Sequence, residues 1–325
     1  MKKAMIFCAG FGTRMKFLSE ILPKALLPVL NIPLLDYIIF QLETLGFQDV
    51  MINIHHLGPL IQKHVKTRNW NINIHFSDEK EILGTGGGLK KVECFFENEK
   101  NFLVINSDCL SDFQFEEALC EQQKAKAHAT LFIQKKQAGY SGLTLSSSST
   151  IQNFDQGDFM FCGIHILTPE IFSYLDLKPS CIIQTGYKRM LEAGKKTQGF
   201  ELKTTWYDFG TLELYRHHQF KILSQLSQEK MILRTQKRFF PGLHEFQDNI
   251  WFQSVNTQEI NSNLKLNAPI FMGEKVFLGE NCEIGPFAIL GGKCRLGQDT
   301  KVHHSILFPK IKIQEHETIS HQILG

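Results

Sequence analysis

Over its first two thirds the chain alternates short apolar runs with stretches whose apolar residues recur at helical spacing. The apolar runs at 4–9, 50–55, 72–76, 102–106, 128–134 and 159–166 read as strands. Between them Leu35, Ile38, Ile39 and Leu42 trace one face of a helix over 33–45, and 57–65 repeats that pattern more weakly. Further helical periods fall at 169–175, 187–193 and 213–226. Such alternation predicts an α/β layer: a Rossmann-like, mostly parallel sheet with helices on both faces. Ligands of such sheets gather at the carboxyl ends of the strands. The turns that follow Ala9 and Asn106 therefore become the places to look for chemistry.

From 227 to 265 the periodicity is poor, and the segment reads as a connection that packs but carries no obvious chemistry. The pattern then changes again. Gly273, Gly279, Gly285, Gly291 and Gly297 recur every six residues, preceded at most positions by an apolar residue (Leu278, Ile284, Leu290, Leu296). A six-residue period with an inward apolar position and a glycine at the turn builds a triangular parallel β-helix. Residues 266–325 leave room for about three coils. The chain is thus expected to divide into 1–226, a connecting segment 227–265 and a β-helix 266–325.

Composition adds mainly exclusions. Lys and Arg (35) nearly balance Asp and Glu (33) along the 325 residues, so no global field is available to hold nucleic acid or an anionic membrane. Lys2 and Lys3 precede no apolar leader region, and no window is long and apolar enough for a membrane span, so the expectation is a cytoplasmic, soluble protein with no membrane or nucleic-acid partner. Eight cysteines lack any C-x-x-C pair and read as buried thiols. The adjacent histidine pairs 55–56, 217–218 and 303–304 do not share a face at metal-ligand spacing.

Four stretches carry candidate chemistry. Ala9-Gly10-Phe11-Gly12-Thr13-Arg14 follows a strand, and Pro23-Lys24 comes ten residues later, so backbone N–H groups and two cations can converge on phosphate. The third glycine of a dinucleotide fingerprint and the lysine of a P-loop are both missing. Gly84-Thr85-Gly86-Gly87-Gly88 offers bare backbone that a flat base edge could approach. Asn106-Ser107-Asp108 ends an apolar strand, and Trp206-Tyr207-Asp208-Phe209-Gly210-Thr211 supplies a second carboxylate; two aspartates on separate loops suit a Mg²⁺ ion that takes its other ligands from phosphates and water.

Together these motifs resemble the sugar-1-phosphate nucleotidyltransferases, which open with G-x-G-x-R and P-K-x-x-x-P and later show N-G-D-x-L and W-x-D-x-G-T. The resemblance runs from the first strand to roughly residue 226 and makes 1–226 the catalytic domain; the repeat resembles the left-handed β-helix appended to many members. It implies transfer of a nucleotidyl group from an NTP to a sugar 1-phosphate, with Arg14 and Lys24 as catalytic cations and Asp108 with Asp208 on Mg²⁺. Ala9, Gly10, Gly12, Thr13, Gly86, Gly87, Gly88 and Ser107 would contact the nucleotide. The lysine segment that many relatives place on the sugar phosphate is not found between Thr150 and Phe161, so which cation holds that phosphate is open, with Lys188 as one candidate. The β-helix resembles that of mannose-1-phosphate guanylyltransferases, and the triple glycine resembles N-acetylmuramic acid 1-phosphate uridylyltransferases, so GTP and UTP both stand. A homo-oligomer formed through the β-helix is a further expectation. The alternative is a non-catalytic regulatory homologue that binds nucleotide or NDP-sugar.

Overall fold

The computed structural model describes residues 2–254 and 263–325, so residues 255–262 of the expected connecting segment lie outside the described residues. The chain falls into two compact units, Met1–Leu26 with Ile38–Tyr207, and Leu27–Tyr37 with Asp208–Gly325.

The first unit is built on a seven-stranded sheet. Its strands are β1 (Lys3–Phe7), β2 (Asp49–Ile54), β3 (Asn73–Asp78), β4 (Phe102–Asn106), β5 (Ala129–Lys135), β6 (Phe159–Leu167) and β7 (Thr197–Glu201). They lie in the order β7-β5-β6-β4-β1-β2-β3. All neighbours pair in parallel except β6, which runs antiparallel to both β4 and β5. Helices α1 (Leu34–Thr44), α2 (Gly58–Lys66), α3 (Gly84–Lys91) and α4 (Phe115–Ala125) follow in the chain. Six strands match the apolar runs within a few residues. β7 was not visible in the sequence because it reads Thr-Gln-Gly-Phe-Glu; the Ile133 side chain packs over Gly199, its Cδ1 2.6 Å from where a Cβ would sit. α4 escaped for a similar reason, since its buried positions include Phe115, Ala118 and the polar Gln122. The period expected at 169–175 forms a 3₁₀ helix, Pro169–Tyr174.

The chain leaves β1 toward β2 and β3, then crosses back to lay β4 on the other flank of β1. Connections diverge between β1 and β4, and this is where an open α/β sheet presents a crevice for ligand. Phe7 at the end of β1 lies opposite Asn53 on one side and Asn106 on the other. Both sequence-predicted turns therefore emerge side by side.

In the second unit, parallel ladders stack as a β-helix. Ile270 pairs with Ala288 and Ala288 with Ser305, while Phe277 pairs with Arg295 and Arg295 with Lys312, so coils are 18 and then 17 residues long. The ladder begins earlier than residue 266, because Ile250 already pairs with Ile270. Ile270, Cys282, Ile284, Leu290, Cys294, Leu296 and Val302 fill its interior. Of the repeated glycines only Gly285 has the positive φ expected of a turn (88°); the other four serve a different purpose. Non-glycine residues two positions on (Lys275, Asn281, Phe287, Lys293, Asp299) take the positive φ at the corners. At Gly273, Gly279, Gly291 and Gly297 a Cβ would lie 2.3–2.6 Å from an atom of the following coil, so glycine is required for close stacking.

Two helices complete this unit, α5 (Leu212–Ser224) and α6 (Lys230–Phe239). The latter lies in the segment whose periodicity is poor, because its buried positions Met231, Ile232, Thr235 and Gln236 are half polar. That polarity has a target. Residues 28–33 form a tight hairpin whose tip, Leu30-Asn31, has positive φ at both positions, the geometry of a two-residue turn matched to strand twist. Leu30 N–H donates to Gln219 Oε1 (2.9 Å), Leu30 O accepts from Gln236 Nε2 (2.6 Å), and Pro28 O accepts from Gln219 Nε2 (3.1 Å) and from the Tyr215 hydroxyl. Asn31 Nδ2 donates to Leu290 O of the β-helix (3.1 Å). Among the described residues, no helix is long and apolar enough to cross a membrane.

Candidate active site

β1 delivers Cys8 and Ala9 buried and Gly10 exposed at the carboxyl edge of the sheet. No atom lies within 4 Å of where a Gly10 Cβ would be, so that backbone faces open space. Gly12 has φ 66° and caps the 3₁₀ turn Thr13–Met15, whose first bond runs from Met15 N–H to Gly12 O (2.8 Å). An L side chain would strain at that φ, which explains the second glycine. Thr13 and Arg14 are exposed on this turn, while Met15 anchors it in the core.

Lys24 opens a second short 3₁₀ turn, Lys24–Leu26, and its Nζ lies 2.6 Å from Asp108 Oδ2. Their side chains are only 12% and 26% exposed. The lysine expected on phosphate and the aspartate expected on metal thus neutralise one another. Asp108 reaches this position because Ser107 N–H donates to Phe7 O (3.2 Å), extending the β1–β4 pairing by one residue. Ser107 is itself buried. Burial pushes the neighbouring Cys8 thiol up to about 12, so it offers no thiolate nucleophile near neutral pH.

The glycine segment is the first turn of α3. A Cβ on Gly84 would lie 2.5 Å from Ser180 O, one on Gly87 2.2 Å from Lys178 O, and one on Gly86 2.5 Å from Ser180 Oγ. Gly86 N–H donates to Ser180 O (2.9 Å), and Thr85 Oγ1 accepts from Ile182 N–H (2.9 Å). The bare face expected to meet a base is therefore used, at Gly84, Gly86 and Gly87, by the chain's own segment 178–182. Gly88 instead faces two buried side chains, Asn53 and Glu79.

Every lettered position of the W-x-D-x-G-T pattern has a contact of its own. Trp206 Nε1 donates to Cys162 O (2.9 Å). Asp208 Oδ1 accepts from Gly210 N–H (2.6 Å), and a Cβ at Gly210 would stand 2.7 Å from the same oxygen. Thr211 caps α5, accepting from Leu214 N–H (3.2 Å). His218, one face further along α5, meets Asp208 O (2.7 Å), and burial lowers its pKa. Replacement of the cap, Thr211→Ala, is expected to destabilise the protein by about 1 kcal/mol, read as a lower urea midpoint with unchanged m-value. Lys188 lies outside these clusters, with its Nζ on Asp155 Oδ1 and Oδ2 (3.0 and 3.1 Å) at the surface.

Comparison with known proteins adds to this geometry. The chain is 23% identical to a UTP–glucose-1-phosphate uridylyltransferase of Synechocystis, over 94% of this chain and 82% of that protein. It is 28% identical to a mannose-1-phosphate guanyltransferase of Yarrowia lipolytica, over 70% of this chain and 66% of that one. The crystal structure of HddC from Yersinia pseudotuberculosis shares the fold, with a TM-score of 0.59 at 22% identity, covering 68% of this chain and all of that one. The sequence profile of the nucleotidyl transferase family matches residues 3–225. On that match and on the sheet, turns and ion pair it spans, the chain belongs to the nucleotidyl transferase family.

Proposed function

We propose that this protein joins an NTP and a sugar 1-phosphate into an NDP-sugar, releasing pyrophosphate, with GTP or UTP as the nucleotide and a hexose 1-phosphate as the acceptor. The observation that carries the reading is the Lys24–Asp108 pair set beside the open turn at Gly10, at the point where strand connections diverge. A phosphate oxygen of the sugar attacks the α-phosphorus, a new P–O bond forms, and the bond to the β-phosphate oxygen breaks. Such displacements ask the protein for positioning and charge neutralisation more than for covalent chemistry.

The exposed Arg14 is assigned to the β- and γ-phosphates, where negative charge grows as pyrophosphate departs. Lys24 is assigned to phosphate oxygens near the reacting phosphorus. Its present partner, Asp108, shows that this position already holds a cation and a carboxylate in balance. Residues 9, 10, 12 and 13 line the turn that would receive the phosphates, and Lys188 is the cation assigned to the sugar phosphate.

The donors present suit Mg²⁺. Asp108 offers hard carboxylate oxygens, and among the described residues no group of three or more His, Cys, Asp or Glu converges as a self-contained metal cage. Mg²⁺ takes one or two carboxylates plus phosphates, which fits Asp108; Asp208 joins it on the strength of its sequence pattern. When bound, the ion would neutralise phosphate charge and orient the triphosphate.

Release of pyrophosphate, measured over GTP and UTP against mannose, glucose and N-acetylmuramic acid 1-phosphates with and without Mg²⁺, tests the proposal. Turnover on at least one pairing, lost on chelation, is the expected result. No release anywhere on the grid, with nucleotide still bound, would make the chain a regulatory homologue.

A further inference from the structure

Asn53 and Glu79 are each 2% exposed, and neither belongs to a motif that assigns it a role. They form a single hydrogen-bonded relay. Cys8 N–H donates to Asn53 Oδ1 (2.8 Å), Asn53 Nδ2 donates to Glu79 Oε1 (2.8 Å), and Leu83 N–H donates to Glu79 Oε2 (2.8 Å). One end of the relay is the first residue after β1, two positions before Gly10. The other is the residue before α3 and its glycines. Glu79 is held from its own backbone as well: its N–H donates to Ile54 O (2.9 Å), and its carbonyl meets His55 Nδ1 (2.7 Å). The third glycine exists for this pair, since a Cβ at Gly88 would stand 2.8 Å from Glu79 Oε1 and 3.0 Å from Asn53 Nδ2.

Resting on the nucleotidyltransferase reading, we propose that Asn53 and Glu79 are positioning residues that fix the phosphate turn at a set distance from the glycine segment. The turn assigned to the phosphates is then tied to the start of α3, which segment 178–182 packs against, so it cannot drift independently of it. Small displacements at such a site carry large rate penalties, which gives a buried relay leverage it would lack elsewhere. The relay also has a polarity. Both outer partners are backbone donors, so the two side chains between them must supply three acceptor contacts and one donor.

That polarity yields a discriminating set of variants. Glu79→Gln keeps the shape, but its amide must turn its NH₂ either toward Asn53 Nδ2 or toward Leu83 N–H, and flipping Asn53 only moves the mismatch to Cys8. Asn53→Asp puts a second carboxylate against Glu79. The double variant Asn53→Asp/Glu79→Gln restores every donor–acceptor match with the same net charge, reversing the direction of the central bond.

Binding of GTP and UTP with Mg²⁺ would be measured by calorimetry on the full chain, and KM for each substrate where turnover is found, at a temperature where all variants are folded. Glu79→Gln is expected to weaken nucleotide affinity about tenfold or more, with the KM for sugar 1-phosphate changed less than about twofold. The double variant should return to within about threefold of wild type, a non-additivity that contacting residues show and independent ones do not. A role confined to stability would lower the melting temperature and leave the nucleotide KM alone, and that result overturns the proposal. So does a folded double variant that stays as weak as Glu79→Gln. If Glu79→Gln does not fold, Asn53→Ser carries the test: weakened nucleotide affinity in that folded variant supports the proposal, and wild-type affinity overturns it. Wild type that binds neither nucleotide overturns the nucleotidyltransferase reading itself, and this proposal with it; wild type that binds, with variants unaffected, overturns this proposal alone.

Discussion

Asp108→Asn is expected to slow nucleotidyl transfer by about a hundredfold or more, while circular dichroism stays native and the urea midpoint falls only modestly. The amide keeps the volume of the carboxyl and can still accept from Lys24 Nζ, now 2.6 Å from Oδ2. What it loses is the negative charge that the lysine balances and that a hard cation would seek. The side chains are only 12% and 26% exposed, so leaving Lys24 without its counter-charge costs about 1–3 kcal/mol, limited by the hydrogen bond the amide keeps. A rate loss far beyond what so modest a loss of stability brings, in a protein that stays folded, is the signature of a residue kept for chemistry. Turnover near wild type in this variant would remove Asp108 from the site.

Gly87→Ala is expected to give the largest loss of stability among substitutions in the glycine segment. Two terms oppose one another. Alanine in a helix gains about 1 kcal/mol over glycine, but the new Cβ would stand 2.2 Å from Lys178 O and 3.1 Å from Leu83 Cβ. The nearer atom belongs to backbone, so it cannot rotate away, and the overpacking term of about 1–3 kcal/mol or more outweighs the propensity gain. The measurement is a thermal melt, with a drop of several degrees expected for the variant. A melt at or above the wild-type temperature would show that the 178–182 segment yields easily. The same substitution at Gly10, where nothing lies within 4 Å, should leave the melt nearly unchanged.

The layout of the first unit was legible because its central strands are buried on both faces and must be written in apolar residues. β1 and β4, each with an unbroken run of buried positions, Ala4–Ile6 and Phe102–Ile105, could hardly be spelled otherwise. β7 and α4 hide behind Gln198, Gly199 and Gln122, residues whose burial depends on neighbours far along the chain. The candidate site was legible where chemistry restricts residue type, as at Lys24 and Asp108. Their mutual ion pair was not, since nothing local to either residue announces a partner 84 positions away. Asn53 and Glu79 carried even less signal: one is a polar residue near the end of β2, the other the residue just past β3, and only the fold shows that both are buried and joined. The glycine repeat shows the opposite case. Its period revealed the β-helix, yet the reason for glycine is the nearness of the next coil, which a one-dimensional pattern does not contain.

The hairpin at 28–33 sets a limit on how this protein can be divided or recombined. Its carbonyls at Pro28 and Leu30 find their donors on Tyr215, Gln219 and Gln236, and its Asn31 amide ends on Leu290. A chain stopped at residue 226 would keep the hairpin while losing Gln236 and Leu290, leaving Leu30 O and the Asn31 amide without these partners. Grafting 208–325 onto another protein without the hairpin would take from Gln236 its bond to Leu30 O and from Gln253 its bonds to Leu30 O and Asn31 Nδ2, leaving the two amides only partly satisfied by their bond to each other (3.0 Å). The C-terminal portion of this chain is therefore one unit with eleven residues from near the amino terminus, Leu27–Tyr37, and any transfer of it to another protein has to carry both pieces.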